Sequence, residues 1–210
     1  LKEIETRLQQ ASERLTQQRK QIAAMLCDNI TKALVDLNFL DVRFDMVFEP
    51  LDHYTENGVD HAYFIISTNV GEDMKPLWQV ASGGELSRIM LAMKSCLADV
   101  DRIETLIFDE IDVGISGRTA QMVAEKIRGI ARNHQVICIT HLPQIAAMAD
   151  QHYLIEKQVV ADKTVTNIYQ LDRDKQIEEL ARLIGGVEIT DTVLQSAKEM
   201  KELAGKAKVD

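Results

Sequence analysis

Two short apolar runs, each ending in residues of chemical interest, limit the fold of this chain more than any other feature. Residues 105–110 read Thr-Leu-Ile-Phe-Asp-Glu, and residues 135–140 read Gln-Val-Ile-Cys-Ile-Thr with His141 next. Apolar runs of this kind are strands of a parallel sheet, buried on both faces. Between them Ala120, Val123, Ala124, Ile127 and Ile130 recur at helical spacing. Strand, helix and strand in about 35 residues make a βαβ unit, which crosses over right-handed. The two strands then run side by side in one direction. Asp109, Glu110 and His141 fall at their carboxyl ends, the rim where open α/β sheets bind ligands. One carboxylate there can hold Mg2+, usually through water, and the other can orient or deprotonate an attacking water.

A second stretch, residues 80–88, reads Val-Ala-Ser-Gly-Gly-Glu-Leu-Ser-Arg, and Leu86, Ile89, Met90, Met93 and Leu97 continue it at helical spacing. A Ser-Gly-Gly turn therefore opens an amphipathic helix. Gly83 and Gly84 lack a Cβ, which admits positive φ and close approach by another molecule. The free N–H groups and the dipole at a helix start favour an anion, commonly phosphate, and Ser82 adds a hydroxyl. An ordinary start is equally consistent with this stretch, with Ser82 as N-cap and Glu85 three residues on completing a capping box. The local pattern leaves both readings open.

Residues 1 to about 38 form one long helix by pattern. Leu1, Ile4, Leu8, Ala11, Leu15, Gln18, Ile22 and Met25 alternate at spacings of three and four, a coiled-coil seam. From Leu26 the pattern widens through Ile30, Ala33, Leu34 and Leu37, as for a helix passing from a two-helix rod onto a globular body. Val42, Phe44, Met46 and Phe48 predict a half-buried strand, and residues 62–68 a second, joined antiparallel by a long loop at 50–58. His53, Asp60 and His61 lack a spacing that forms a metal site and read as solvated loop residues. Residues 112–117 make a tight loop. Strands are expected at 153–156 and 164–171, then a helix ended by Gly185 and Gly186, then a last helix through Leu194, Ala197, Lys201 and Ala204.

With 210 residues and 46% hydrophobic content, the chain can bury one sizeable core and an appendage. Cys27, Cys96 and Cys138 lie far apart with no CxxC, which argues against zinc and against a disulfide framework and fits a reducing cytoplasm. A net charge of −9 and no Lys/Arg cluster disfavour a surface-wide nucleic-acid binder. No apolar run is long enough to span a membrane. The first residue is Leu and stands inside a heptad pattern, so the chain is expected to be a piece of a longer protein.

Three pieces in fixed order, Ala-Ser-Gly-Gly-Glu at 81–85, Leu-Ile-Phe-Asp-Glu at 106–110 and Ile-Thr-His at 139–141, resemble the ABC-type ATPases. Glu85, where transporters usually carry Gln, resembles the Smc-like branch. The resemblance covers residues 42–203. It implies an α/β fold, the C-terminal half of an ABC-type ATPase head: a mixed or parallel sheet with flanking helices, preceded by a long coiled-coil helix. The expected division is a returning coiled-coil arm at 1–40 and the head lobe at 41–210. By this resemblance Ser82, Gly83, Gly84 and Glu85 are the signature motif, which meets ATP held on a second head. Asp109 and Glu110 match Walker B: Asp109 holds Mg2+ through water, Glu110 is catalytic and polarises the attacking water, and His141 senses the γ-phosphate. Gly114, Ser116 and Gly117 form the D-loop, with Ser116 where many relatives carry Asp, and Ala81 replaces the Leu usual in transporters. The phosphate loop G-x-x-x-x-G-K-[ST] is absent from the chain, so the resemblance implies a partner N-terminal lobe carrying it. It further implies an ATP-dependent homodimer, DNA as the partner handled in double-strand break repair and recombination, and a cytoplasmic, nucleoid-associated location away from membranes. Two alternatives remain: a non-catalytic dimerisation or scaffold fragment, or another Smc-like recombination ATPase.

Overall fold

The computed structural model describes residues 1–98, 100, 102–160, 163–186 and 188–206. The chain divides into two compact units, Leu1–Glu104 and Thr105–Asp210.

In the first unit, helix α1 (Lys2–Asp36) packs one stripe inward: Ala23, Cys27, Ile30, Ala33 and Leu34 are buried. The heptad seam lies on another face, and Leu1, Ile4, Ile22 and Met25 remain exposed. A helix with two apolar stripes serves two neighbours. Here one stripe covers strands β1 (Arg43–Thr55) and β2 (Gly58–Ser67), and Thr16 and Arg19 of α1 bond the buried Asp60 carboxylate of β2 at 2.7 and 3.2 Å.

The long loop expected at 50–58 is absent. β1 runs on to Thr55 with a register shift between Pro50 and Thr55, and a two-residue turn at 56–57 closes the hairpin. The reason is chemical: the turn at 56–57 is followed by a glycine, which can take the left-handed conformation that closes a short hairpin. Gly58 takes φ +95°, and the Thr55 hydroxyl donates to the Gly58 carbonyl at 2.7 Å. Pro50 is tolerated because the ladder is interrupted beyond it. A short strand β3 (Lys75–Pro76) adds to β2, and one 3-10 turn (Leu77–Gln79) leads to helix α2 (Gly83–Leu97). Trp78 in that turn packs its ring 5.1 Å from Tyr63. α2 buries Ile89, Leu91 and Ala92 and packs on α1.

In the second unit, strands β4 (Thr105–Phe108) and β5 (Gln135–Cys138) pair in parallel, Thr105 opposite Gln135 and Phe108 opposite Cys138. Helix α3 (Gly117–Ala131) joins them and buries Ala120, Val123, Ala124 and Ile130, completing the expected βαβ unit. A short helix α4 (Pro143–Met148) follows β5, and Lys201 of the last helix caps its end by donating to the Ala147 and Ala149 carbonyls at 3.0 and 3.1 Å. Strands β6 (Tyr153–Val160) and β7 (Lys163–Gln170) form an antiparallel hairpin. Helices α5 (Arg173–Gly185) and α6 (Asp191–Lys206) pack together and on α4. One face of the β4–β5 pair holds the buried Leu106 and Phe108. The opposite face leaves Ile107, Ile137 and Ile139 at 66, 45 and 49% exposure. No described helix is long and apolar enough to cross a membrane.

Candidate functional site

The signature-like turn belongs to the first unit. Ser82 is the N-cap of α2 in extended conformation, and its hydroxyl accepts from the Glu85 N–H at 3.3 Å. The Leu86 N–H bonds the Ser82 carbonyl at 2.9 Å. Positive φ is not used at Gly83 or Gly84: both lie inside the helix. Their contribution is the missing Cβ, which leaves the first turn of N–H groups approachable. Gly84 is buried, while Ser82 and Gly83 are exposed. Arg88, one turn further on, is buried with its guanidinium 5.5 Å over the Phe39 ring. Burial pushes its pKa below the ordinary value, and the nearby Glu85 works the other way.

The acidic rim belongs to the second unit. The strand pairing brings the ends of β4 and β5 together, and the ladder continues one step with the Ile139 N–H bonding the Phe108 carbonyl at 3.0 Å. Asp109, Glu110 and His141 leave these adjacent ends, all three exposed. Glu110 takes φ +56°, a left-handed conformation uncommon for a residue with a side chain and one found at functional sites. The Asp109 carboxylate accepts the Glu110 N–H at 2.9 Å and so braces that conformation. The chain then turns through Gly114 and Gly117 at φ +77° and +51°, where a Cβ would be strained. Ser116 caps α3 by position only, since its side chain makes no capping bond.

Sequence reasoning assigned no role to Asp112, and the structure places it at the centre of this rim. Its side chain is only 4% exposed. One carboxylate oxygen, Oδ2, accepts from the Thr140 hydroxyl at 2.6 Å and the His141 backbone N–H at 2.8 Å, and lies 3.0 Å from His141 Nδ1. The Thr140 hydroxyl in turn accepts the Leu142 N–H at 3.0 Å, at the start of α4. Asp112 is thus the latch between the loop after β4 and the loop after β5. A sequence signal existed, an acid three residues beyond Asp109, but its partners stand 28 and 29 residues away. Cys138, beside it in β5, is pushed up to about 12, first by burial and then by Asp112 and Asp109.

Among the described residues no group of three or more His, Cys, Asp or Glu is arranged to hold a metal ion. Mg2+ does not require one, because it is commonly held by one or two carboxylates together with water and substrate phosphates. The exposed Asp109 carboxylate at a strand end, beside Glu110, fits that mode.

No protein-family model matches the chain. It is 46% identical over 201 residues to a protein named DNA repair protein RecN from Halalkalibacterium halodurans, covering 94% of this chain and 36% of that one. Identity to the RecN of Bacillus subtilis is 43%, over 92% of this chain and 36% of the relative. For Haemophilus influenzae the figures are 41%, 93% and 35%. The chain therefore spans about a third of the length of the curated relatives it matches, in their C-terminal part. Among solved structures, an Smc head domain with coiled coil and joint from Pyrococcus yayanosii superposes with TM-score 0.54 at 21% identity, over 74% of this chain and 28% of that one. An Smc head with extended coiled coil, bound to the C-terminal domain of ScpA, from Pyrococcus furiosus gives 0.50 at 20% identity, over 76% and 37%. The fold is that of part of an Smc head domain.

Proposed function

Because this chain resembles the C-terminal portion of the bacterial RecN proteins, we propose that it is the C-terminal part of an Smc-like ATPase acting in DNA double-strand break repair and recombination. The observation that carries the reading is the rim: Asp109, Glu110 and His141 stand at the carboxyl ends of two adjacent parallel strands, with Glu110 held in a left-handed conformation. In this reading Asp109 holds Mg2+ through water. The ion supplies charge neutralisation for the phosphates, and the chain's own groups do the rest. Glu110 orients and deprotonates the attacking water, and His141 contacts the γ-phosphate. Ser82, Gly83, Gly84 and Glu85 meet the ATP of a second head in an ATP-dependent homodimer, and Gly114, Ser116 and Gly117 line the contact as the D-loop.

The uncovered face of the β4–β5 pair supports a second part of the reading. Parallel strands are normally covered on both sides. Ile107, Ile137 and Ile139 present an apolar face of the kind that an N-terminal lobe carrying the phosphate loop would cover. On this reading residues 1–40 return a coiled-coil arm into a lobe formed by residues 41–210. Its place in the cell is then the cytoplasm, with the nucleoid.

The test uses the complete protein. Glu110→Gln keeps the shape and removes the base, and should lower ATP turnover by ~10²–10⁴-fold while ATP binding survives. Turnover near wild type in Glu110→Gln overturns the assignment.

A further inference from the structure

The acidic rim contains one carboxylate that faces inward, and its position has a chemical consequence for the histidine. Two donors converge on one oxygen of Asp112, the Thr140 hydroxyl and the His141 backbone N–H, and the His141 ring lies against the same oxygen with Nδ1 at 3.0 Å. A carboxylate oxygen only accepts. With Nδ1 3.0 Å from the carboxylate oxygen, the ring form that carries hydrogen on Nδ1 is favoured over the form that sets a lone pair there. The other ring nitrogen, Nε2, points away across the ring, on a side chain that is 70% exposed. It is the nitrogen left to meet a ligand, as acceptor in the neutral ring and donor in the imidazolium. The backbone is held as well as the ring, because the same oxygen takes the His141 N–H and the neighbouring hydroxyl. Swinging the imidazole to another rotamer would strip a buried carboxylate of one of its partners.

We propose that Asp112 is the positioning residue of His141: it sets the tautomer and direction of the ring so that Nε2 is presented at the rim. Asp112 does not touch the nucleotide and acts through the histidine. The inference rests on the reading of His141 as the group that contacts the γ-phosphate.

A double-mutant cycle in the complete protein tests it, with kcat and KM for ATP measured on wild type, Asp112→Asn, His141→Ala and the double variant. Asn keeps the size and one acceptor oxygen but removes the charge that enforces the tautomer. Asp112→Asn should lower kcat about ten- to a hundredfold, the scale of a misplaced catalytic group, with KM within about twofold of wild type. In the His141→Ala background the same change should alter kcat by less than about threefold, since there is no ring left to position. An equal loss in both backgrounds overturns the proposal, because Asp112 would then act on something other than the histidine. A slow His141→Ala protein beside a normal Asp112→Asn protein also overturns it, and leaves the role of His141 standing. Normal turnover in His141→Ala removes the histidine reading, and this one with it. If Asp112→Asn does not fold, Thr140→Val repeats the cycle. It takes one donor from the same oxygen and should lower kcat severalfold, an effect again erased in His141→Ala.

Discussion

The turn at 82–85 and the rim at 109–141 carry sequence signals of equal clarity, yet they are held in different ways. Ser82 is fixed by its neighbours: its hydroxyl takes an N–H three residues on, and its carbonyl takes one four residues on. Any helix that begins with serine could be built so. The rim is fixed from a distance. A buried carboxylate in one loop gathers the hydroxyl, the backbone and the ring of another, while Asp109, Glu110 and His141 stay exposed. Burying one acid and straining the next costs stability that a bare βαβ unit has no need to spend. The rim has the geometry that the proposed chemistry needs, whereas the geometry of the turn is compatible with chemistry and with capping alone.

The largest expected effect probes the rim through Cys138. Its thiol is held at about 12 against an ordinary 9.0. The folded state therefore favours the protonated form. The stability this contributes is fully present below about pH 9 and is lost as pH rises towards 12. At pH 8 Cys138 should alkylate roughly a hundredfold or more slower in the native chain than in denaturant, as followed by mass spectrometry. Equal rates would mean that the end of β5 is open and that the long-range latch does not hold.

Next in size is Asp112→Ala, which orphans donors in a largely buried site. It should cost about 2–4 kcal/mol in urea unfolding. A cost below about 1 kcal/mol would make the rim no more demanding than a local cap.

Ser82→Ala removes only a cap and should cost about 1 kcal/mol by the same measurement. The smallest effect on stability, within about 0.5 kcal/mol, belongs to Ser82→Asp, since Asp caps as well as Ser and suits the dipole. That variant separates the two readings of the turn. If Ser82 meets a partner's γ-phosphate, a carboxylate there should abolish ATP-dependent dimerisation of the complete head in light scattering, because close like charges cost several kcal/mol. Unchanged dimerisation would leave Ser82 a cap and nothing more.

Much of this was legible in one dimension because it depends on short-range periodicity. The helical spacing of Ala120, Val123, Ala124 and Ile130 and the apolar runs around Phe108 and Cys138 specify strand, helix and strand. Parallel pairing of the two strands puts Asp109, Glu110 and His141 on one rim, as observed. The hairpin depends on one local signal that a loop at 50–58 leaves out: Gly58, just after the turn, takes φ +95° and closes it despite Pro50. Exposure of the α1 seam could not be read from the heptads, since periodicity shows that a stripe is apolar and not which neighbour covers it.

The sequence by itself determined the main helices, the order of the βαβ unit and the residues delivered to the ends of its strands. Tertiary structure alone decided that Asp112 turns inward and latches His141, that Glu110 adopts a left-handed backbone, and that Ile107, Ile137 and Ile139 share an uncovered face. The physical reason is range. Periodicity and capping act over a few residues of chain, whereas a buried carboxylate is satisfied by whichever donors folding brings within 3 Å, and here those lie 28 and 29 positions away.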